Sequence, residues 1–351
     1  MTTSMPLPTP GAPPRRLSAW DRFLFEPESP SPMVLVRIAW GIASAVWAVT
    51  LLPDIDPFLT KGALRYTQAR QPGSWNPLDW IGWTRAPLAV CLLLLVASIA
   101  TAVGYRARLS SAVAVLSMLA LQRTNITVFN SGDLVLRQIG IAMALAPTGL
   151  LLSLDARRAR KQRVHEPVVP LTGDLVDADA DGDADAPTAP RRAPWATRMI
   201  QLQIALGYSL SCWAKLRGTT WHDGTALALA LRISDLHRFT PPGSIFHQAV
   251  LLNLLTWSTL VFEGSFIFLV WNRRFRPWVL GIGVLFHVGI DLFFDVGFFS
   301  WAMLIAYLAF LPPEFADRVL ERIRDLLHRV GRRGDPTGSA PAVALPVEPA
   351  E

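Results

Sequence analysis

Charge is scarce in this chain: 17% of its 351 residues are Asp, Glu, Lys or Arg, where a water-soluble globule carries about a quarter. Cysteine is scarcer still. Cys91 and Cys212 both lie inside apolar runs, with no CxxC or metal-ligand spacing, which excludes a disulfide framework and a cysteine zinc site. They read as packing residues. No Gly-rich phosphate loop, nucleophile elbow or metal-ligand cluster occurs, and no internal repeat of the kind that builds an inverted-repeat transporter. Residues 1–32 hold Pro, Ser and Thr with Arg15 and Arg16 but no apolar core, so they do not read as a cleaved signal peptide. They read as a cytoplasmic tail.

What is there is hydrocarbon. Hydrophobic residues make up 51% of the chain and its mean hydropathy is +0.33. Several apolar runs approach the roughly 20 residues that a helix needs to cross a bilayer, where helices satisfy every backbone polar group internally. The fold class is therefore an all-α integral membrane protein, with about eight transmembrane helices. The net charge of +6 and pI near 9.9 would raise nucleic-acid binding in a soluble domain. Here the arginines fall in short loops between spans, where they set orientation, and no nucleic-acid partner is expected.

In chain order, the spans are expected near Met33–Leu52, Pro87–Val103, Leu109–Leu121 (with Gln122–Phe129 continuing into the interface), Asn130–Leu154, Thr197–Lys215, Phe246–Trp271, Pro277–Leu292 and Gly297–Leu311. Arg37, near the start of the first, is expected to snorkel inward. Trp75, Trp80 and Trp83 suit a headgroup-level aromatic belt. Asp133 is expected to cap the fourth span and to pair with Arg137 one turn on. Residues 156–194 form a cytoplasmic loop, in which Asp177, Asp179, Asp181, Gly182 and Asp185 mimic the start of a calcium loop. Thr188 stands where the bidentate glutamate is needed, so the stretch reads as a disordered acidic linker.

After the fifth span, Asp223 can cap a short apolar helix, Thr225–Ile233, too brief to cross, which lies in the interface or dips in as a re-entrant cover over a site. Residues 33–312 thus form the membrane domain, 313–330 a C-terminal amphipathic interfacial helix, and 331–351 a disordered tail. The basic clusters Arg15/Arg16/Arg22, Arg106/Arg108, Arg157 to Arg163, Arg273/Arg274/Arg276 and Arg318 to Arg333 all fall on one side if both termini are cytoplasmic. The first outer loop, with Lys61, Arg65, Arg70 and Arg85, fits that rule least well.

Ionisable residues inside spans are the candidate site, because each costs about 2.5–3.5 kcal/mol at the centre of a single helix. Lys215 stands at the outer end of an apolar span, where a nitrogen base either snorkels to water or is held partly desolvated and does proton chemistry. At about 1.5 Å rise per residue, Glu263 and His287 lie roughly 12 to 14 Å from the cytoplasmic ends of their helices, with Asp291 one turn further out than His287. The ladder inward runs Lys215, Asp291, then His287 with Glu263. Plainer readings stand beside it. His287 and Asp291 serve equally as an interhelical hydrogen-bonding pair, Glu263 before Gly264 as a neutral glutamate in a kinked helix, and His222 with Asp223 as a loop and cap. No metal site is evident.

The runs SCWAKLRGTTWHDGTAL (Ser211–Leu227), NSGDLVLRQ (Asn130–Gln138), FEGSFIFLVWNRRFRP (Phe262–Pro277) and FHVGIDLFFDVGFFSWAMLIAYLAFLPPE (Phe286–Glu314) resemble the HTTM membrane family. Its members look like the membrane part of vitamin K-dependent γ-glutamyl carboxylase. The resemblance covers roughly residues 30–315. It implies that Lys215 is a catalytic base toward a reduced quinone of the vitamin K hydroquinone type, with His287, Glu263 and Asp291 in the same cleft. Trp213, Trp221 and His222 are then the quinone-binding residues. Where the carboxylases carry a histidine near the fourth span this chain has Asn130–Asp133, and it ends in a short basic helix and tail where they carry a large luminal portion. The expectation is accordingly a related quinol chemistry rather than protein γ-carboxylation itself. Expected partners are the lipid bilayer, a lipid-soluble quinone and a peptide or small-molecule acceptor, in a bacterial inner membrane. The alternatives are a proton-coupled transporter or channel using the same residues, and a non-catalytic membrane partner or immunity-type protein.

Overall fold

A computed structural model describes residues 18–60, 75–76, 78, 85–125, 129–165 and 191–333. The acidic stretch 174–185, Trp80, Trp83, Lys61 and the tail beyond Arg333 lie outside the described residues. Among the described residues the structure is helical, with two isolated β-bridges, Glu28 to Arg192 and His237 to Phe294.

A short helix α1 (Ala19–Phe25) is closed by a Ser18/Asp21 capping box and precedes α2 (Ser31–Leu51), which starts on Pro32 and runs on through a 3-10 turn and a π turn to Leu59. α3 (Ala86–Val103) ends at Gly104 in the left-handed conformation, and α4 (Ala107–Thr124) turns back beside it. α5 (Ser131–Leu145) leads to the basic α6 (Leu154–His165). α7 (Trp195–Lys215) is followed by two short helices, α8 (Thr219–His222) and α9 (Ala226–Ala230). Then come α10 (Ala249–Leu269), α11 (Arg276–Phe293), α12 (Phe299–Tyr307) and the long α13 (Pro313–Arg333).

Four of these segments, Ser31–Leu59, Ala86–Val103, Ala249–Leu269 and Arg276–Phe293, are long and apolar enough to cross a membrane. A fifth arises if Phe299–Phe310 and Pro313–Leu327, bent by 112°, are one broken span. The other predicted spans are helices that fall short of that standard for visible reasons: α5 has 15 residues, α12 has nine, and α4 and α7 carry Ser, Gln and Arg among their apolar residues. Large apolar side chains cover the outside, among them Leu92, Val96 and Ile99 on α3, Val250, Val261 and Phe268 on α10, and Trp278 and Leu285 on α11. Such a coat is untenable in water and natural in a bilayer. The fold is that of an integral membrane protein.

α2, α3, α4 and α5 pack in sequence as an antiparallel series, while α7 packs along α10 and α12 fills the space between α2, α5, α7 and α11. Gly41 on α2 lets α3 approach closely, since a Cβ there would stand 2.6 Å from the backbone nitrogen of Ala102. Gly41→Val is therefore expected to push α2 off α3 and cost about 1–3 kcal/mol, read as a lower unfolding midpoint in a fixed detergent.

Polar side chains inside the bundle join helices rather than reach water. The Trp40 indole donates to the Leu136 carbonyl at 2.6 Å and the Trp47 indole to Asp133 at 2.7 Å. Asn130 is the N-cap of α5 and forms a capping box with Asp133, while Arg137, the expected partner of Asp133, donates to Gln122 at 2.6 Å. With Trp47 and the cap as its donors, Asp133 does not need the arginine. Arg37 does not snorkel. It is fully buried and donates to the carbonyls of Leu151 (3.3 Å) and Leu152 (2.7 Å), groups freed where the chain breaks between α5 and α6. Beside it the Asp155 carboxylate accepts from the backbone N–H groups of Arg106 and Ala107, both at 2.8 Å, and so caps α4. In α13, Ala316 and Leu320 are buried against Val34 and Leu35, with Val319 and Ile323 beside them.

Candidate functional site

On α7 the residues Tyr208, Ser211, Cys212 and Lys215 recur at three- and four-residue intervals, so they share one face. That face meets α10, where the Tyr208 ring packs edge-on to Phe262 and at a tilt to Phe266, and the Cys212 thiol lies 3.5 Å from the Leu260 carbonyl. Long helical side chains lean back toward the start of their helix. The Lys215 amine accordingly folds inward. It forms an ion pair with Glu263 Oε1 and donates to Ser211 Oγ at 3.0 Å, while Ser211 donates to the same carboxylate oxygen at 3.3 Å. The Trp221 ring, from α8, closes over the amine with its centroid 5.0 Å away, a cation–π distance. The Lys215 side chain is 22% exposed and that of Glu263 4%. Glu263 Oε2 is buried and has no hydrogen-bond partner among the described residues.

A second cluster lies about 10 Å inward along α7, two helical turns below Lys215. His287 on α11 is fully buried, and its Nε2 shares a 2.6 Å hydrogen bond with the Tyr208 hydroxyl, which in turn bonds the Tyr307 hydroxyl from α12. Phe286, Phe299 and Tyr307 surround the imidazole edge-on, and its Nδ1 has no partner among the described residues. Gly283, one turn before His287, makes room for this meeting: a Cβ there would lie 2.3 Å from the Tyr307 oxygen.

Asp291 belongs to a third group. Arg238 forks between Asp291 at 3.4 Å and Asp295 at 3.3 Å. No hydrogen bond or ion pair among the described residues joins Asp291 to Lys215, Glu263 or His287. The same segment is tied by backbone bonds from Arg238 N to the Phe293 carbonyl (3.1 Å) and from Asp295 N to the Leu236 carbonyl (2.7 Å). At its other end, Leu227 N donates to Thr256 (3.2 Å) and Trp257 to the His222 carbonyl (3.2 Å), so residues after Lys215 strap across α10 to the end of α11. The short helix is α9, with Thr225 as its N-cap. Asp223 instead ends α8.

The four predicted catalytic residues therefore separate: Lys215 with Glu263, His287 with two tyrosines, Asp291 with an arginine. Of the three predicted quinone-binding residues, Trp221 touches the site. Trp213 is 64% exposed on another face of α7, one residue from buried Cys212. The His222 ring bonds the Leu216 carbonyl at 2.6 Å, satisfying the end of α7. Sequence reasoning missed Ser211, Tyr208, Tyr307 and Arg238. The signal for the first two was present, as polar residues four and seven before Lys215 on an apolar helix. Among the described residues no group of three or more His, Cys, Asp or Glu is placed to hold a metal.

No curated protein and no solved structure matches this chain. Residues 176–315, the stretch that carries α7 to α12 and both polar clusters, match the HTTM domain. The chain is thus an integral membrane protein by its apolar helices, with a stretch similar to the HTTM domain over residues 176–315.

Proposed function

We propose that the Lys215–Glu263 pair is an acid–base unit that removes a proton from a lipid-soluble hydroquinone, as the first step of an HTTM-type quinol chemistry. One observation carries this: the Lys215 amine folds back along α7, toward a buried carboxylate and under the Trp221 ring. A lysine that merely marked the membrane edge would extend toward water and need no carboxylate inside the bundle. Desolvation strengthens proton transfer between fixed groups, since no solvent has to reorganise when charge moves. Leu210 and Trp213 on α7, and Val261 on α10, are exposed apolar residues on the outer faces of the two helices that carry the pair. A quinone dissolved in the bilayer is read as reaching the pair from between these helices.

The wider topology belongs to the same reading: eight spans over residues 33–312, both termini cytoplasmic, in a bacterial inner membrane. The alternating directions of α2 to α5 support it, as do the contacts that bring Arg37 to Leu152, Arg106 to Asp155 and Arg192 to Glu28. The 313–330 segment is read as lying at the interface, its buried stripe against α2 and its exposed Leu326 and Leu327 toward lipid.

The test is purified protein given reduced naphthoquinones and oxygen, assayed for the epoxide. Product is expected with the parent and a loss of at least about 100-fold with Lys215→Ala, the scale of a general acid–base contribution. Absence of product in both removes the enzyme reading.

A further inference from the structure

Two of the three donors on the Lys215 ammonium are already committed, one to Glu263 Oε1 and one to Ser211. An ammonium has no lone pair, so while it stays in this ion pair it accepts no proton. The free lone pairs belong to the carboxylate. Glu263 Oε2 is buried within a residue only 3% exposed, and is partnered by nothing among the described residues, while its twin Oε1 takes both donors. A buried carboxylate oxygen without a donor is costly unless something brings it one.

Building on the proton-abstraction reading above, we propose that Glu263 Oε2 is the atom that takes the proton, and that Lys215 is the cation that holds the resulting phenolate. The ligand class is an aryl alcohol with an acidic O–H, such as a hydroquinone. Its O–H bond breaks with both electrons left on the substrate oxygen, and the proton forms an O–H bond to Oε2. Glu263 becomes a neutral acid as the substrate becomes an anion, so Lys215 exchanges one counter-charge for another. The site contains one cation and one anion before and after the step. No separated charge is created inside the membrane, where it would be most expensive. Ser211 acts as a positioning residue, holding the amine and Oε1 together so that Oε2 stays free.

The two possible bases make opposite demands on position 215. If the amine is the base, arginine cannot replace it, because guanidinium does not deprotonate in proteins; if it is the counter-cation, arginine can. The probe is 1,4-dihydroxy-2-methylnaphthalene, added without oxygen to the full-length protein in detergent, with its phenolate read by absorbance. The parent and Lys215→Arg are expected to bind it ionised, while Glu263→Gln binds it neutral, losing at least tenfold of the phenolate signal, and Glu263→Asp recovers part of it. Size-exclusion elution at the parent position shows that each variant is folded. A phenolate signal in Glu263→Gln equal to the parent overturns the assignment and returns the role to Lys215. A parent that never ionises the probe overturns the proton-abstraction reading as well, so the two failures are distinct.

Discussion

Lys215→Met is expected to cost about 3 kcal/mol of folding stability, because it leaves the Glu263 carboxylate buried without its counter-charge. The lower part of the usual range applies, since the Lys215 side chain is 22% exposed and that of Glu263 is 4%. Taken alone, Glu263→Leu leaves an ammonium that can partly reach water and is the milder change. The double variant Lys215→Met/Glu263→Leu should recover most of the loss, as apolar residues of similar volume often replace a buried ion pair at little cost. Unfolding midpoints for the parent, both singles and the double, in one detergent, give the coupling energy directly. A coupling near zero would mean that the two side chains are not paired in the folded protein.

Tyr208→Phe carries the second large effect. It keeps the ring against Phe262 and Phe266 but removes a hydroxyl that serves both His287 Nε2 and Tyr307. Each of those groups is then left buried without a partner, at about 1–3 kcal/mol apiece. Tyr307→Phe removes one bond and leaves the Tyr208–His287 bond in place, so it should be the milder of the two. The same unfolding assay ranks them. Equal effects, or none, would show that the three side chains are not joined through Tyr208.

How far the sequence foretold this arrangement differs from element to element. Helices that carry their own boundary signals were legible: α3 (Ala86–Val103) has Pro87 in its first turn and Gly104 just past its end, and α11 (Arg276–Phe293) has Pro277 in its first turn, so both start within a residue of expectation. The expected fourth span runs past the end of α5, because Pro147 and Gly149 break the helix after Leu145, and the carbonyls of Leu151 and Leu152 are answered by Arg37, far away in the sequence. That contact is why Arg37 is buried rather than snorkelling, and no local pattern encodes it.

The candidate site was legible as a set of misplaced charges and not as a set of partners. Apolar runs interrupted by Lys215, Glu263, His287 and Asp291 stand out on cost alone. Which of them meet depends on the register between α7 and α10, fixed by Cys212 against Leu260 and Tyr208 against Phe266. It also depends on the lysine bending back along its helix by a full turn. Counting residues from span ends put Glu263 level with His287. The side chains instead brought it to Lys215, and gave His287 to the tyrosines.

Amine accessibility tests the central claim most directly, and the chain is suited to it because it has three lysines, Lys61, Lys161 and Lys215. Lys161 is exposed on α6. With a water-soluble acylating reagent and peptide mass spectrometry, Lys215 should be modified at least about tenfold more slowly than Lys161, since its amine is held inside the bundle by Glu263 and Ser211 under an aromatic ring. Modification of Lys215 as fast as Lys161 would place the amine in water and contradict the account.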